Sequence, residues 1–520
     1  MGQFQVGNQK KRNIRDHTLI IHAVVNEAIE TKTKVDIQFT DIKQCFDSIW
    51  LQEATNDLYD SGLTSRNLNL IFEGNRNTQM CVETHFGRSS RTELENVVMQ
   101  GSVLGGMLCS NQLSKLCNQM YQEGNVYMYR KKVPIPGLAM VDDIATIAIF
   151  NSINSLNANI VTDTFIQRKK LEGQTGAGKC QWIHAGPGEC SSKYQICGQE
   201  ISKADSYKYL GDQVSNGLEM LYSKRVDKAH GYSATCVAMC TEISLGVQLY
   251  AVAKLLHLSI FVNGTLTNVE TWPKCSEARI EKFERIEQNL MRKILKAHSK
   301  TPIEALYLEL GIIPLRFHLM KRRVLYLQTI LMRDNDELTK KVVLLQKDTC
   351  LDGDFYPQAL ANLNVLGITH DQLLESPGKL EERLKKTMNE AAYKFLIKKA
   401  QKHTKTRQEC YQNCNGAPHY FDPRFTPEKA NLLFRFRTRT FLVKNNFRNN
   451  YRNTDTLCPL CSSFNDSQEH IFECTRILQV HNQNITCSHE DVFSRDIDTL
   501  LEVSRILLKL VKIRENLLSK

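Results

Sequence analysis

The first readable pattern along the chain is "VDIQFTDIKQCFDSIW", where Val35, Ile37 and Phe39 alternate with Asp36, Gln38 and Thr40, the period of two of a half-buried strand. Asp41 stands at its end. From there Phe46, Ile49 or Trp50, Ala54 and Leu58 recur at helical spacing until Gly62 stops the run. A second pattern, "LAMVDDIATIAIF" over residues 138–150, sets two apolar blocks of strand length around a polar pair. It predicts a tight hairpin with Asp142 and Asp143 at or near its tip. Between the two lies "MQGSVLGGMLCSNQLSKL", in which Gln100, Gly101, Gly105 and Gly106 precede a helical run through Leu108, Leu113 and Leu116.

After about residue 215 the periodicity is predominantly helical. Ile280, Phe283, Ile286, Leu290 and Ile294 share one face, with Glu281, Arg285 and Lys293 elsewhere. "TPIEALYLELG" predicts a helix with Thr301 as N-cap, Pro302 in the first turn, Glu304 closing a capping box and Gly311 as the stop. An amphipathic run through Leu380, Leu384, Met388, Ala391 and Phe395 leads into the cations Lys394, Lys398, Lys399, Lys402, Lys405 and Arg407, read as a solvated helix face. The most apolar helical stretch, residues 249–262, is interrupted by Lys254 and His257 and is too short to span a bilayer.

Composition narrows the class. At 520 residues the chain exceeds one hydrophobic core and implies about three or four domains. Hydrophobic content of 42% and charged content of 24% are those of a folded globular protein and exclude wholesale disorder. The basic N-terminus lacks an apolar segment behind it, so no secretory signal is expected, and Val6 stands where a myristoylation motif has Ser or Thr. With seventeen dispersed cysteines and no export signal, reduced thiols and a location in nucleus or cytoplasm are expected. The net charge of +11 suits a polyanionic partner.

The acids give this frame a chemistry. Repelling carboxylates at a hairpin tip, which prefers Gly at its second position, are better explained if a cation sits between them. With Asp41 added, three carboxylates form a site for one or two Mg²⁺ ions, which take hard oxygen ligands, and two such ions support phosphoryl transfer. Glycines beside a helix start let the backbone approach a flat or phosphorylated ligand.

In this order, "DIKQCFD", "QGSVLG" and "MVDD" resemble the palm motifs of a reverse transcriptase, most like those of non-LTR (LINE-type) retrotransposons. Upstream, "QVGNQKKRNIRDHTLII" resembles the passage from fingers to palm, and downstream "TGAGKCQW" and "SYKYLGDQV" resemble the late palm lysine motif and the primer grip. The resemblance implies that Asp41 and Asp142 hold two catalytic Mg²⁺ ions with Asp143 beside them. It places Phe46 as the steric gate, Gln100 and Gly101 against template and nucleotide, Lys179 near the pyrophosphate, and Tyr207, Leu210 and Gly211 in the primer grip. Two departures stand out: Met140-Val141 replaces the usual aromatic or Ala before the acids, and Gly105-Gly106 replaces the usual Ser-Pro. The resemblance also implies shortened fingers, with Lys10, Lys11, Arg12 and Arg15 as the cations available there.

Two further segments carry chemistry. In "LLFRFRTRTFLVKNNFRNNYRN", Arg435, Arg437, Arg439, Arg448 and Arg452 interleave with Phe434, Phe436, Phe441, Phe447 and Tyr451, a pattern in which guanidinium groups grip phosphates and rings stack on unpaired bases. "CPLCSSFNDSQEHIFEC" places Cys458, Cys461, His470 and Cys474 at C-x2-C-x8-H-x3-C spacing, a tetrahedral set for one structural Zn²⁺, and resembles the zinc knuckle behind many non-LTR polymerases. No nuclease constellation follows.

The expected fold is therefore α+β, a reverse-transcriptase palm of antiparallel sheet and helices followed by a mainly helical thumb and connector and a small zinc knuckle. The expected division is partial fingers (1–35), palm (36–215), thumb-like helices (216–300), helical connector (301–430), Arg/aromatic segment with CCHC knuckle (431–480) and a C-terminal helix (481–520). The expected activity is RNA-directed DNA polymerisation, with RNA template, DNA primer and deoxynucleoside triphosphates as partners and no membrane. The alternative is a catalytically inactive, reverse-transcriptase-derived protein that binds RNA or DNA.

Overall fold

The computed structural model describes all residues except 1–3, 6, 8, 10–11, 77, 95–97, 99–102, 150–152, 177, 189–191, 243–248, 403–421, 423, 452–454, 483–484, 495 and 520, and omits the side chains of 94, 103, 153–156, 241–242, 249–251 and 448–451. The alternating segment forms β1 (Val35–Asp41), and the acidic stretch forms β8 (Leu138–Met140) and β9 (Asp143–Ile149). With β10 (Gln181–Ala185), β11 (Tyr194–Ile196) and β12 (Gln199–Lys203) they make a six-stranded sheet in the order β11-β12-β10-β1-β9-β8. Its pairs are antiparallel except β10 with β12.

β1 departs from the half-buried expectation. Its inner position leaves Asp36, Gln38 and Thr40 as buried as Val35, Ile37 and Phe39. Alternation survives in the sequence because the polar face meets polar partners. Asp36 accepts from the Tyr194 and Ser192 hydroxyls at 2.6 and 3.1 Å and lies 2.8 Å from His184 Nδ1, while Asn159 donates to the Gln38 side chain at 3.0 Å. A buried carboxylate is tolerable only with such company.

Around the sheet run α1 (Ile14–Thr31), the one-turn α2 (Cys45–Ser48), α3 (Leu51–Asp60), α4 (Ser65–Asn75), α5 (Val103–Gln122) and α6 (Ile153–Arg168). Short hairpins pair β2 (Thr78–Met80) with β5 (Thr92–Leu94), β3 (Glu83–Thr84) with β4 (Gly87–Arg88), β6 (Tyr127–Tyr129) with β7 (Val133–Ile135), and β13 (Ser206–Tyr209) with β14 (Asp212–Ser215). Gly105 and Gly106 lie inside the first turns of α5 and do not precede it, because the helix already begins at Val103. The helix predicted from Phe46 to Gly62 is broken between α2 and α3, where Ile49 and Trp50 take extended backbone angles.

The chain divides into two compact units, neither continuous in sequence: residues 1–224, 268–275 and 323–362 form the first, and 225–267, 276–322 and 363–520 the second. Pieces expected in the thumb (268–275) and the connector (323–362) thus belong with the sheet. Strong polar ties accompany them: Asp16 accepts from Tyr326 and Arg333 at 2.8 and 2.9 Å, and the Trp272 indole donates to Asp212 at 3.1 Å.

The second unit is helical, and after Ser215 the described residues contain no strand beyond an isolated bridge. The helix Glu277–Leu295 buries Ile280, Phe283, Ile286, Leu290 and Ile294 as its spacing predicts. Thr301 is not a cap: the next helix runs Ile303–Leu310 with Pro302 at the N-cap, no side-chain cap and Gly311 in the left-handed conformation as its stop. The helix Pro377–Ala400 buries Leu380, Leu384 and Met388, then Ala392 and Leu396 in place of Ala391 and Phe395: the buried positions keep a spacing of four, so the apolar stripe winds slowly around the helix instead of holding to one face at 3.6 residues per turn. Lys394, Lys398 and Lys399 are exposed, Lys402 follows the helix end also exposed, and Lys405 and Arg407 lie outside the described residues. The apolar stretch after residue 248 is an α-helix to Leu256 continued by a π-helical turn, His257–Val262. Among the described residues no helix is long and apolar enough to cross a membrane.

Candidate active site and metal centre

Strand register brings the acids together. Asp41 is the last residue of β1 and lies directly opposite Asp143, the first of β9. Met140 pairs with Asp143, so the tip of the hairpin is Val141-Asp142, and Asp143 opens the returning strand instead of sharing the tip. Val141 takes the left-handed conformation, φ +59°, which such turns demand and β-branched residues rarely adopt.

The electrostatics report a surplus of negative charge. Burial raises the Asp142 carboxyl above the ordinary range, and the charge of Asp41 adds to it. Asp143 is pushed up to about 6 by burial, then by Asp142 and Asp41. Lys179 opposes both shifts, with its ammonium 3.2 Å from Asp41 Oδ2. Among the described residues, one half-exposed lysine set against three partly buried carboxylates leaves a site whose donor set and charge fit hard divalent cations.

The loop carrying Lys179 also fixes Asp41. Its main chain accepts from Gln174 N–H at 2.9 Å, and the Cys180 thiol lies 3.3 Å from the Asp41 N–H and 3.4 Å from its carbonyl. Gly176 and Gly178, at φ +133° and +76°, supply the reversals that return the chain to β10. This buttressing role of Cys180 was not foreseen from sequence. The only signal for it is its place beside Lys179 in the motif.

Phe46 is half-buried on α2, five residues past Asp41, and next to it Cys45 packs on Cys109 of α5 with sulfurs 3.1 Å apart. Gln100 and Gly101 lie outside the described residues. Leu210 and Gly211 form the two-residue turn of the β13–β14 hairpin, both with positive φ, while Tyr207 is a buried strand residue whose ring stacks on Phe39 at 4.2 Å and 6°. Burial first, then the charges of Asp143 and Asp41, raise the Tyr207 hydroxyl far above the usual tyrosine range. The hairpin therefore packs beneath the strand that ends in Asp41.

In the second unit the Arg/aromatic pattern resolves mainly into core. Phe434, Phe436, Phe441 and Phe447 are buried. Arg437 does not face solvent: it is 5% exposed and its Nε donates to buried Glu309 at 2.9 Å, because helix Pro427–Arg437 turns that face inward. This corrects the expectation of an RNA contact at Arg437. Arg439 is held by Glu469 at 2.8 Å. Arg435 lines a cleft of about 780 Å³ with Lys293, Lys296 and Lys512. The Arg448 side chain and all of Arg452 lie outside the described residues.

Cys458, Cys461, His470 and Cys474 converge, with their ligand atoms within 4.8 Å of one another. The sulfurs of Cys458 and Cys474 are 3.9 Å apart, close to the roughly 3.8 Å edge of a tetrahedron with 2.3 Å metal–sulfur bonds. Cys461 Sγ lies 3.2 Å from His470 Nε2, and although desolvation works against it, the Ser463 N–H and His470 draw its thiol down to about 6. A site with all four corners filled by protein is structural in kind.

Residues 1–214 match the family described as "Reverse transcriptase (RNA-dependent DNA polymerase)". The first 214 residues carry a reverse-transcriptase domain. The α+β architecture, a palm-like sheet followed by helices, accords with that fold. Among solved structures the chain is similar to telomerase from Candida albicans in complex with the TWJ fragment of telomeric RNA (13% identity, TM-score 0.26, covering 63% of this chain and 52% of that one). It is also similar to apo telomerase from Candida tropicalis (12% identity, TM-score 0.31, covering 74% and 57%). The chain thus spans just over half the length of either. No curated protein matches it in sequence.

Proposed function

We propose that this chain is an RNA-directed DNA polymerase of the non-LTR retrotransposon type, acting in nucleus or cytoplasm on an RNA template, a DNA primer and deoxynucleoside triphosphates. One observation carries the reading: Asp41 lies across a strand pair from Asp143, with Asp142 at the adjoining turn and Lys179 on Asp41. The reaction is attack of the primer 3′-hydroxyl on the α-phosphate with loss of pyrophosphate. Asp41, Asp142 and Asp143 would hold two Mg²⁺ ions, which supply charge neutralisation at the attacking and leaving oxygens when bound. The chain's own part is positioning. Lys179 offers a cation to the pyrophosphate side, Phe46 limits room beside the sugar, Gln100 and Gly101 meet template and nucleotide, and the Tyr207–Gly211 hairpin guides the primer end. The Cys458–Cys461–His470–Cys474 cluster, within the helical second unit, supports the non-LTR assignment and would hold one Zn²⁺. Arg435, Arg439, Arg448 and Arg452 remain candidates for RNA contact, Arg435 together with the lysines of its cleft.

Primer extension on an RNA template tests this. Mg²⁺-dependent extension by the wild type that falls at least about a hundredfold in Asp142→Asn is the expected result. RNA binding without extension by either form would instead identify a non-catalytic, reverse-transcriptase-derived binding protein.

A further inference from the structure

The strained point of the acidic hairpin is Val141. Left to relax toward negative φ, its peptide would swing Asp142 away from Asp41 and Asp143. The restraint comes from the segment before α1. Gln5 is fully buried. Its side-chain carbonyl accepts from the Val141 N–H at 3.0 Å and the Gly7 N–H at 2.8 Å, and its side-chain amide donates to the Val141 carbonyl at 3.3 Å. One amide group thus engages both backbone polar groups of the strained residue. The main chain reinforces it, since the Ala139 N–H donates to the Phe4 carbonyl at 2.9 Å and Gln5 bridges Ala139 in parallel. Gly7 makes the approach possible: a Cβ there would lie 2.8 Å from Val141 Cγ2 and Val141 N and 2.9 Å from Gln5 Oε1.

We infer that Gln5 is a positioning residue of the three-acid site, holding Val141 in its left-handed conformation and so setting Asp142 against Asp41 and Asp143. It touches no reacting atom. The inference rests on the two-metal reading above. It identifies a task for the N-terminal segment distinct from phosphate binding.

The test uses the full chain with Gln5→Ala, Val141→Gly and the double variant, measuring Mn²⁺ binding by electron paramagnetic resonance and the Mg²⁺ dependence of primer extension. Gln5→Ala is expected to weaken Mn²⁺ binding about tenfold and to raise the Mg²⁺ concentration for half-maximal extension by a similar factor, as loss of an outer-shell support does. Adding Val141→Gly should restore both to within about twofold, because glycine adopts the turn without help. A structural defect elsewhere would not be rescued by that change. Unaltered metal affinity in Gln5→Ala, or no rescue by Val141→Gly, overturns the inference. Should Gln5→Ala lose its melting transition, Gln5→Met, of nearly the same volume, carries the same comparison. If the wild type binds Mn²⁺ in a manner abolished by Asp142→Asn yet no form extends a primer, the polymerase reading fails and the role of Gln5 is decided by the affinities alone. If the wild type binds no such Mn²⁺, both fail.

Discussion

At the scale of single residues, the carboxyls of Asp142 and Asp143 at the turn of β8–β9 are held where burial disfavours their charge. Asp143, with a folded value of about 6 against an ordinary 3.8, binds its proton more tightly in the folded state than in the unfolded chain. Between about pH 4 and pH 6 the folded form holds more protons, so metal-free stability falls as pH rises through that window and the whole penalty is present above it. Asp143→Asn should therefore stabilise the metal-free protein at pH 7.5 by on the order of 1 kcal/mol, discounted for partial exposure, and by nothing near pH 4. Urea denaturation at the two pH values measures this. In excess Mg²⁺ the order should reverse, since the ion binds the folded wild type through the carboxylate the variant lacks. Equal stabilities at pH 7.5 without metal would show that the carboxylate is not under the strain its surroundings imply.

At the scale of elements, legibility followed how local the determinants are. The strand ending at Asp41, the Asp142 turn and the Cys458–Cys474 cluster could be read because period, turn chemistry and ligand spacing are properties of a few adjacent residues. The burial of Asp36 could not, because it depends on Tyr194, Ser192 and His184, some 150 residues away in sequence and joined only by strand pairing. Arg437 failed for the same reason. Alternating Arg and Phe reads as a nucleic-acid surface until Glu309, on another helix, is found beside it. Arg437→Ala takes the cation away from that buried carboxylate and should cost about 3–5 kcal/mol in chemical denaturation, whereas Arg437→Met with Glu309→Leu should recover most of it. Arg435→Ala, at the cleft with Lys293, Lys296 and Lys512, should leave stability nearly unchanged and weaken RNA binding, with a shallower salt dependence. The cysteine cluster is an element of the same unit. Asp466, between Cys461 and His470, accepts from Arg514 of the helix Ile497–Leu518 at 2.8 Å. Removing zinc by chelation, or Cys474→Ser, should thus release one Zn²⁺ per chain and loosen that helix, seen as lost amide-exchange protection around Arg514.

At the scale of the whole molecule, the sheet-bearing unit is completed by segments that arrive late in the chain. Residues 1–224 contain every acid of the site and the whole span matched to the reverse-transcriptase family, and so look self-sufficient on sequence. The contacts say otherwise. Asp16, buried on α1, has Tyr326 and Arg333 as partners, and Glu27 and Asn26 of the same helix share a network in which Asp354 holds Arg130. Trp272, fully buried, packs edge-on to Tyr222 at 5.0 Å and donates to Asp212 of β14. Cutting the chain after residue 224 would strand Asp16 without its cation and open the apolar site of Trp272. Breaking one buried ion pair costs about 3–5 kcal/mol and emptying a buried tryptophan site about as much. Together these approach the whole stability of an ordinary domain, about 5–15 kcal/mol. A fragment of residues 1–224 should accordingly lack a cooperative thermal transition and bind a hydrophobic dye. The full-length Asp16→Asn variant should still unfold cooperatively, at a lower temperature. A sharp transition in the fragment would mean that α1 and the sheet carry their own stability, and that the segments at 268–275 and 323–362 only rest upon them.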